Sequence, residues 1–279
     1  MLQLKQLFNF YINSSIHVAL SVFALVQITG LQFQITDLED CAFFAFFGAI
    51  AAYNFVKYYN FIRVQGWQMS NRLKGIVLLS VLSLLVAFFY FFKLTKEAQI
   101  SALITLVLTL SYKLPFFPNR KSARSSPGMK IYMVALCWVG ATVVLPVINS
   151  EIPITLDFYL KCVQRFVLVF ALTLIFEIID LKTDNLNLKT VPQQIGVKMT
   201  KWLGIILLLI FCGLEFFNVN NNINSNSNIN VHYFLLRLII AIAIAIFLLF
   251  ANENRSRNYA AFWAESVPVF WWFLFLIMK

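Results

Sequence analysis

The sequence predicts an all-α, polytopic membrane protein of nine transmembrane helices around a central cavity. Three observations predict it. Residues of the AVILMFWYC set make up 61 % of the 279 positions, DEKR only 12 %, and the mean hydropathy is +0.79. A soluble domain carries about a quarter charged residues, and a disordered chain is never this apolar. The apolar runs are long and continuous, which suits helices of about 20 residues crossing a bilayer and not the short alternating segments of a barrel. The chain reads as a single integral membrane domain, 1–279.

The spans read in order as Phe8–Ile28, Cys41–Val56, Gly75–Phe92, Ala98–Leu114, Ile131–Ile148, Phe158–Ile179, Trp202–Phe217, Val231–Ala251 and Ala260–Met278. The first is the weakest, interrupted by Asn13, Ser14, Ser15 and His17. The second is short unless it runs past Lys57. The sixth opens with Lys161 and Arg165, which can snorkel to the interface. The first span reads as a retained helix, since it lacks the pattern of a cleaved signal peptide.

Loop charge sets the orientation. Lys5, then Lys57, Arg63, Arg72 and Lys74, then Lys113, Arg120, Lys121, Arg124 and Lys130, then Lys182, Lys189, Lys198 and Lys201, and finally Arg255 and Arg257 all fall on one face. By the positive-inside rule that face is cytoplasmic, so the N-terminus is expected inside, in what reads as a bacterial cytoplasmic membrane. The net charge of +10 is then a property of inner loops, and no nucleic-acid partner is expected. The opposite loops are acidic or neutral, with Asp37, Glu39, Asp40, Glu151 and Asp157, and the Asn-rich stretch 218–230 reads as a tolerated polar insertion. Cys41, Cys137, Cys162 and Cys212 are scattered and read as small buried hydrophobes.

Polar groups at membrane depth are costly and tend to mark sites. The densest cluster follows the sixth span: Glu177, Asp180 and Asp184, then Lys189, Thr190-Val191-Pro192 and Gly196. Spacings of three and four put the three carboxylates on one face of a helix. Such a face suits Mg²⁺, which takes one or two carboxylates and bridges to substrate phosphate, with Lys189 able to offset phosphate charge. It equally suits a solvated helix end whose acids offset nearby lysines. Both readings stay open from spacing alone.

The segment 177–201 resembles the second aspartate-rich motif of the UbiA superfamily of intramembrane prenyltransferases, D-x-x-D-x-x-x-D followed by T-[LV]-P and Gly. Its positions here are Glu177, Asp180, Asp184, Thr190, Val191, Pro192 and Gly196. The run Ser111-Tyr112-Lys113-Leu114-Pro115 is similar to that family's helix-four exit, and Asn258-Tyr259-Ala260-Ala261-Phe262-Trp263 to its helix-nine entrance. The resemblance implies nine helices, Mg²⁺ held by acidic motifs after helices two and six, and transfer of a prenyl group from a prenyl diphosphate to a lipophilic acceptor. It makes Glu177, Asp180 and Asp184 the candidate metal ligands.

The first motif departs from the family. N-D-x-x-D-x-x-x-D falls on Asn54 to Ile62, in a predicted loop 54–74; Asn54 is kept, but the aspartate positions hold Phe55, Tyr58 and Ile62. Lys57 and Arg63 add positive charge instead. Asn54, Lys57, Arg63, Lys113 and Lys189 are therefore the candidate diphosphate-binding residues. Two readings follow: cations replace a metal and contact the diphosphate, or the chain is a catalytically silent relative that binds an isoprenoid or a partner protein.

The remaining candidates are weaker. His17 reads as an interhelical hydrogen bond, His232 as an outer-interface residue, Glu215 as solvated, and Glu265 as the partner of a loop base. Trp67, Trp202, Trp263, Trp271 and Trp272 fit interfacial belts. Nucleotide hydrolysis, zinc binding and serine chemistry have no motif in support, and a transporter has no pair of broken helices in corresponding halves.

Overall fold

The computed structural model describes residues 2–65, 68–114, 128–217 and 227–278. Trp67, Pro115, Arg120, Lys121, Arg124 and positions 218–226 of the Asn-rich stretch lie outside these, as does the side chain of His232. The described residues contain no strand. They form α1 (Leu2–Asn13), α2 (Ile16–Phe33), α3 (Glu39–Gln65), α4 (Asn71–Phe91), α5 (Lys96–Lys113), α6 (Met129–Val139), α7 (Leu145–Asn149), α8 (Leu156–Ile179), α9 (Val191–Gly213), α10 (Ser227–Phe250) and α11 (Val267–Ile277). Eight helical segments are long and apolar enough to cross a membrane. The chain is an integral membrane protein. α5 is not among the eight, because Lys96, Glu97 and Lys113 fall within its 18 residues, yet it packs into the bundle against α6 and α7.

The helices close a ring. α3 packs on α2, α2 on α11, α11 on α10, α10 on α9, α9 on α8, α8 on α6, α6 on α5 and α5 on α7, which meets α3 again, with α4 laid outside α3. α8 is the most buried span, with 72 % of it inside against 17 % for α4. The outer face of α4 presents Leu78, Val81, Leu82, Leu85, Phe88 and Phe89, which in oil is the favourable arrangement.

Three segments differ from the sequence expectation. The first span splits at Ser15, whose φ of 62° is left-handed and ends a right-handed helix. The second runs on to Gln65, so Asn54, Lys57 and Arg63 stand on a helix and not in a loop. The α8 helix stops at Ile179, and Asp180–Lys182 form a 3-10 turn. Glu177, Asp180 and Asp184 therefore do not share one helical face; the spacing argument assumed that the helix continued.

Backbone groups in a bilayer must be satisfied inside the protein, and two helices are loosened by proline. Pro146 has no N–H to give to the carbonyl of Thr142. The chain there widens into a π-turn, Gly140–Val144, and Thr29 donates its hydroxyl to that carbonyl at 2.6 Å. Pro268 follows a second π-turn, Tyr259–Ala264. There His17 Nε2 donates to the Phe262 carbonyl at 2.9 Å and the Ser21 hydroxyl to that of Glu265. His17, Ser21 and Thr29 lie at spacings of four and eight, one stripe of α2.

At the end opposite the basic loops, Lys161 and Arg165 do not snorkel. Both are buried. Arg165 donates to Leu25 O, Thr142 Oγ1 and Thr29 Oγ1 at 3.1–3.2 Å. Lys161 pairs with Asp157 at 3.4 Å and with Glu215 at 3.3 Å, and Glu215 also pairs with Arg237 and accepts from Gln164. Glu215 is thus the hub of a buried ion cluster and not a solvated acid. All four cysteines are free, two of them buried and two half-buried.

Candidate functional site

The site builds from the break between α1 and α2. That break leaves the carbonyls of Asn13 and Ser14 exposed, and α3 takes them up. Asn54 Nδ2 donates to Ser14 O at 2.9 Å and to Ser80 Oγ at 2.9 Å. Lys57 Nζ and the Tyr58 hydroxyl donate to Asn13 O at 3.2 and 2.8 Å. Asn54 is buried, and its Oδ1 has no hydrogen-bond partner. Three positions of the first-motif stretch thus clamp a helix break.

The acidic stretch is equally engaged. Glu177, 1 % exposed, accepts the backbone N–H of Val191 at 3.0 Å. That N–H opens α9 and has no helical partner of its own, so the carboxylate caps α9 where its dipole favours negative charge. Gln193 Oε1 accepts the Thr190 N–H at 3.0 Å, and Pro192 sits in the first turn, as helix starts prefer. Asp184 pairs with Lys130 at 2.9 Å, both side chains largely buried, and Asp180 with Arg257 at 3.1 Å. Among the described residues, no three of His, Cys, Asp and Glu come close enough together to hold an ion.

The other candidates divide. Lys113 closes α5 next to Tyr112, which lines an apolar cavity between the helices. Arg63 is exposed on the last turn of α3 and makes no hydrogen bond or ion pair among the described residues. Lys189 is exposed in a left-handed turn. Lys130 and Arg257 entered the sequence reading only as loop charges, yet they are the partners of the acids.

Beneath these charges lies an apolar cavity of about 240 Å³ between α2, α3, α5 and α6, floored by Ala45, Gly48, Ala49, Ala102 and Ala141. Its basic end reaches Val56, Tyr112 and Met133. Val56 precedes Lys57, and Met133 stands one turn from Lys130, so this end of the cavity adjoins two of the cations along the chain. Its polar handle is Tyr53, whose oxygen accepts the indole N–H of Trp138 at 2.6 Å and keeps its own proton to give. Glu265 lies within electrostatic reach of Lys57, Tyr53 and Tyr11. Lys57 in turn feels Arg257 and Arg72.

Solved structures share this arrangement of helices. A UbiA homologue from Aeropyrum pernix superposes with a TM-score of 0.65 at 13 % identity, over 93 % of this chain and 97 % of that one. A UbiA homologue from Archaeoglobus fulgidus, bound to DMAPP and Mg²⁺, gives 0.64 at 15 % identity over 96 % and 98 %. The chain has the UbiA fold. A digeranylgeranylglyceryl phosphate synthase structure gives 0.55 at 13 % identity over 98 % and 95 %. No protein-family model matches the sequence, and no curated protein does. On this fold, residues Asn54, Lys57 and Tyr58 clamp a helix break, and Asp180 and Asp184 stand in ion pairs.

Proposed function

We propose that this protein binds a prenyl diphosphate at the basic end of the bundle, tail in the apolar cavity, and transfers the prenyl group to a lipophilic acceptor. The observation that carries the reading is an apolar cavity whose lining includes Val56, next to Lys57 in the chain, and Met133, one turn from the Lys130 that pairs with Asp184. In the transfer, the allylic C–O bond breaks and its electron pair leaves with the diphosphate. The carbocation bonds to a carbon or oxygen of the acceptor, and the acceptor gives up one proton to the departed diphosphate. Cationic side chains stabilise the charge that develops on the leaving oxygen. The walls of Ala, Val and Met exclude water from the cation. Tyr53 offers its hydroxyl proton to an oxygen of the acceptor. The basic end faces the cytoplasm on this reading, with the N-terminus inside.

The Archaeoglobus relatives are described with DMAPP or GPP and Mg²⁺, which supports the substrate class. The test is transfer of radiolabelled geranyl groups from geranyl diphosphate by purified protein in lipid nanodiscs. Asp180→Ala and Asp184→Ala each lower transfer by about tenfold or more, the effect of losing one charge-assisted contact. Unchanged transfer in both variants overturns the roles given to this end of the bundle.

One observation favours a second reading, a silent isoprenoid-binding relative: Asn54, Lys57 and Tyr58 all serve the α1–α2 break. Tight binding of geranyl diphosphate with no transfer to aromatic, quinone-precursor or glycerol-lipid acceptors selects it.

A further inference from the structure

The charges at the basic end carry an inference that rests on the prenyl-diphosphate reading and goes beyond it. A magnesium ion takes converging oxygen ligands at about 2.0–2.1 Å. Here the acids diverge. Glu177 is buried and committed to the first N–H of α9, and the carboxylates of Asp180 and Asp184 each already face a protein cation. The facing stretch of α3 offers only neutral oxygens, among them the unpartnered Oδ1 of buried Asn54 and the amide of exposed Asn60, and no carboxylate. The residues present do not fit the metal that the fold implies.

We propose that the diphosphate is held without a metal ion, by Lys57, Lys130 and Arg257 standing where bound cations would otherwise bridge protein and substrate. The donors are available. Arg257 spends only Nε, on Asp180 at 3.1 Å, which leaves both terminal nitrogens of its fork for phosphate oxygens. Lys130 spends one N–H on Asp184, and Lys57 one on Asn13 O. Arg257 pairs with Asp180, the Asp184 N–H bonds Asp180 O at 2.8 Å, and Asp184 pairs with Lys130, so a chain of contacts joins two of these cations, while Lys57 faces the charge of Arg257 from α3. Lys57 follows Val56 and Lys130 lies one turn from Met133, two residues that line the cavity. Ammonium and guanidinium groups make short, charge-assisted bonds to phosphate.

The experiment is binding of radiolabelled geranyl diphosphate to the purified full chain in nanodiscs, in excess EDTA and in MgCl2. Affinity in EDTA is expected within about threefold of that in MgCl2, and Lys57→Gln and Arg257→Gln each weaken binding in EDTA by about tenfold. Lys57→Arg keeps the charge and retains binding, which separates lost recognition from a misfolded variant. Binding that requires MgCl2 overturns the metal-free site and leaves the prenyl-diphosphate reading standing. Unchanged affinity of both Gln variants in EDTA also overturns it. Absence of binding in either buffer overturns both.

Discussion

Tyr11 donates its hydroxyl to Nδ1 of His17 at 2.7 Å, across the break between α1 and α2. The bond sets the imidazole tautomer. With Nδ1 accepting, the proton sits on Nε2 and goes to the carbonyl of Phe262 at 2.9 Å. The His17 ring also stacks on the Phe262 ring, centroids 5.0 Å apart. One histidine therefore ties α1 to the proline-loosened start of the last span.

The Tyr11→Phe substitution lowers stability by about 1 kcal/mol, the net worth of one hydrogen bond. Burial first, and the charge of Glu265 second, push the Tyr11 phenol above its usual range. A raised phenol favours the protonated, folded form. The contribution is therefore full below the ordinary tyrosine value of about 10 and is lost as pH rises through the higher folded value. Thermal unfolding in detergent from neutral to strongly alkaline pH shows a falling limb in the wild type that Tyr11→Phe flattens.

Asn54→Leu costs about 1–3 kcal/mol, because the buried carbonyl of Ser14 loses its donor. The same thermal assay reads it. A neutral result removes the clamp role argued for the first-motif stretch.

The buried charges at the opposite end divide by sign of effect. Glu215→Gln leaves Lys161 and Arg237 without their shared carboxylate and is expected to cost about 3–5 kcal/mol. Arg165→Met removes a buried charge whose partners among the described residues are hydroxyls and a carbonyl, and a well-packed apolar replacement is close to neutral. Comparable losses in the two variants contradict this division.

Two glycines fail for different reasons. At Gly196, φ is 77° and ψ is 160°, a region almost closed to other residues, while a Cβ there meets open space. Gly196→Ala therefore costs about 1–3 kcal/mol from backbone strain alone. At Gly204 a Cβ lies 2.2 Å from Cδ2 of the fully buried Leu248, so Gly204→Ala costs about as much through overpacking. Trimming Leu248 to Ala in the same chain relieves the second clash and leaves the first untouched.

Composition and run length were enough to read the membrane fold, because oil imposes one solution on so apolar a chain. The weak spot at Asn13, Ser14 and Ser15 was legible too, and the helix does break there. The end of α3 was not. Lys57, Tyr58 and Asn60 look like loop residues, yet they project from a helix that leaves the bilayer without stopping. The acidic stretch misled for the opposite reason: its spacing fits a helix, but α8 ends at Ile179 and its side chains disperse. The pairings of Lys130 with Asp184 and of Arg257 with Asp180 join residues 54 and 77 positions apart, and no local pattern encodes such distances.

The polar stripe of α2 has a mechanical meaning. Thr29 supplies, inside the oil, the hydrogen bond that Pro146 withholds from Thr142, and His17 and Ser21 bond the carbonyls of Phe262 and Glu265 in the bend before Pro268. The bends can then be permanent without bare peptide groups, and the interior stays wide where straight rods would have drawn together. Replacing all three with leucine would leave the outline of each rod unchanged and withdraw the support that lets the bundle remain hollow.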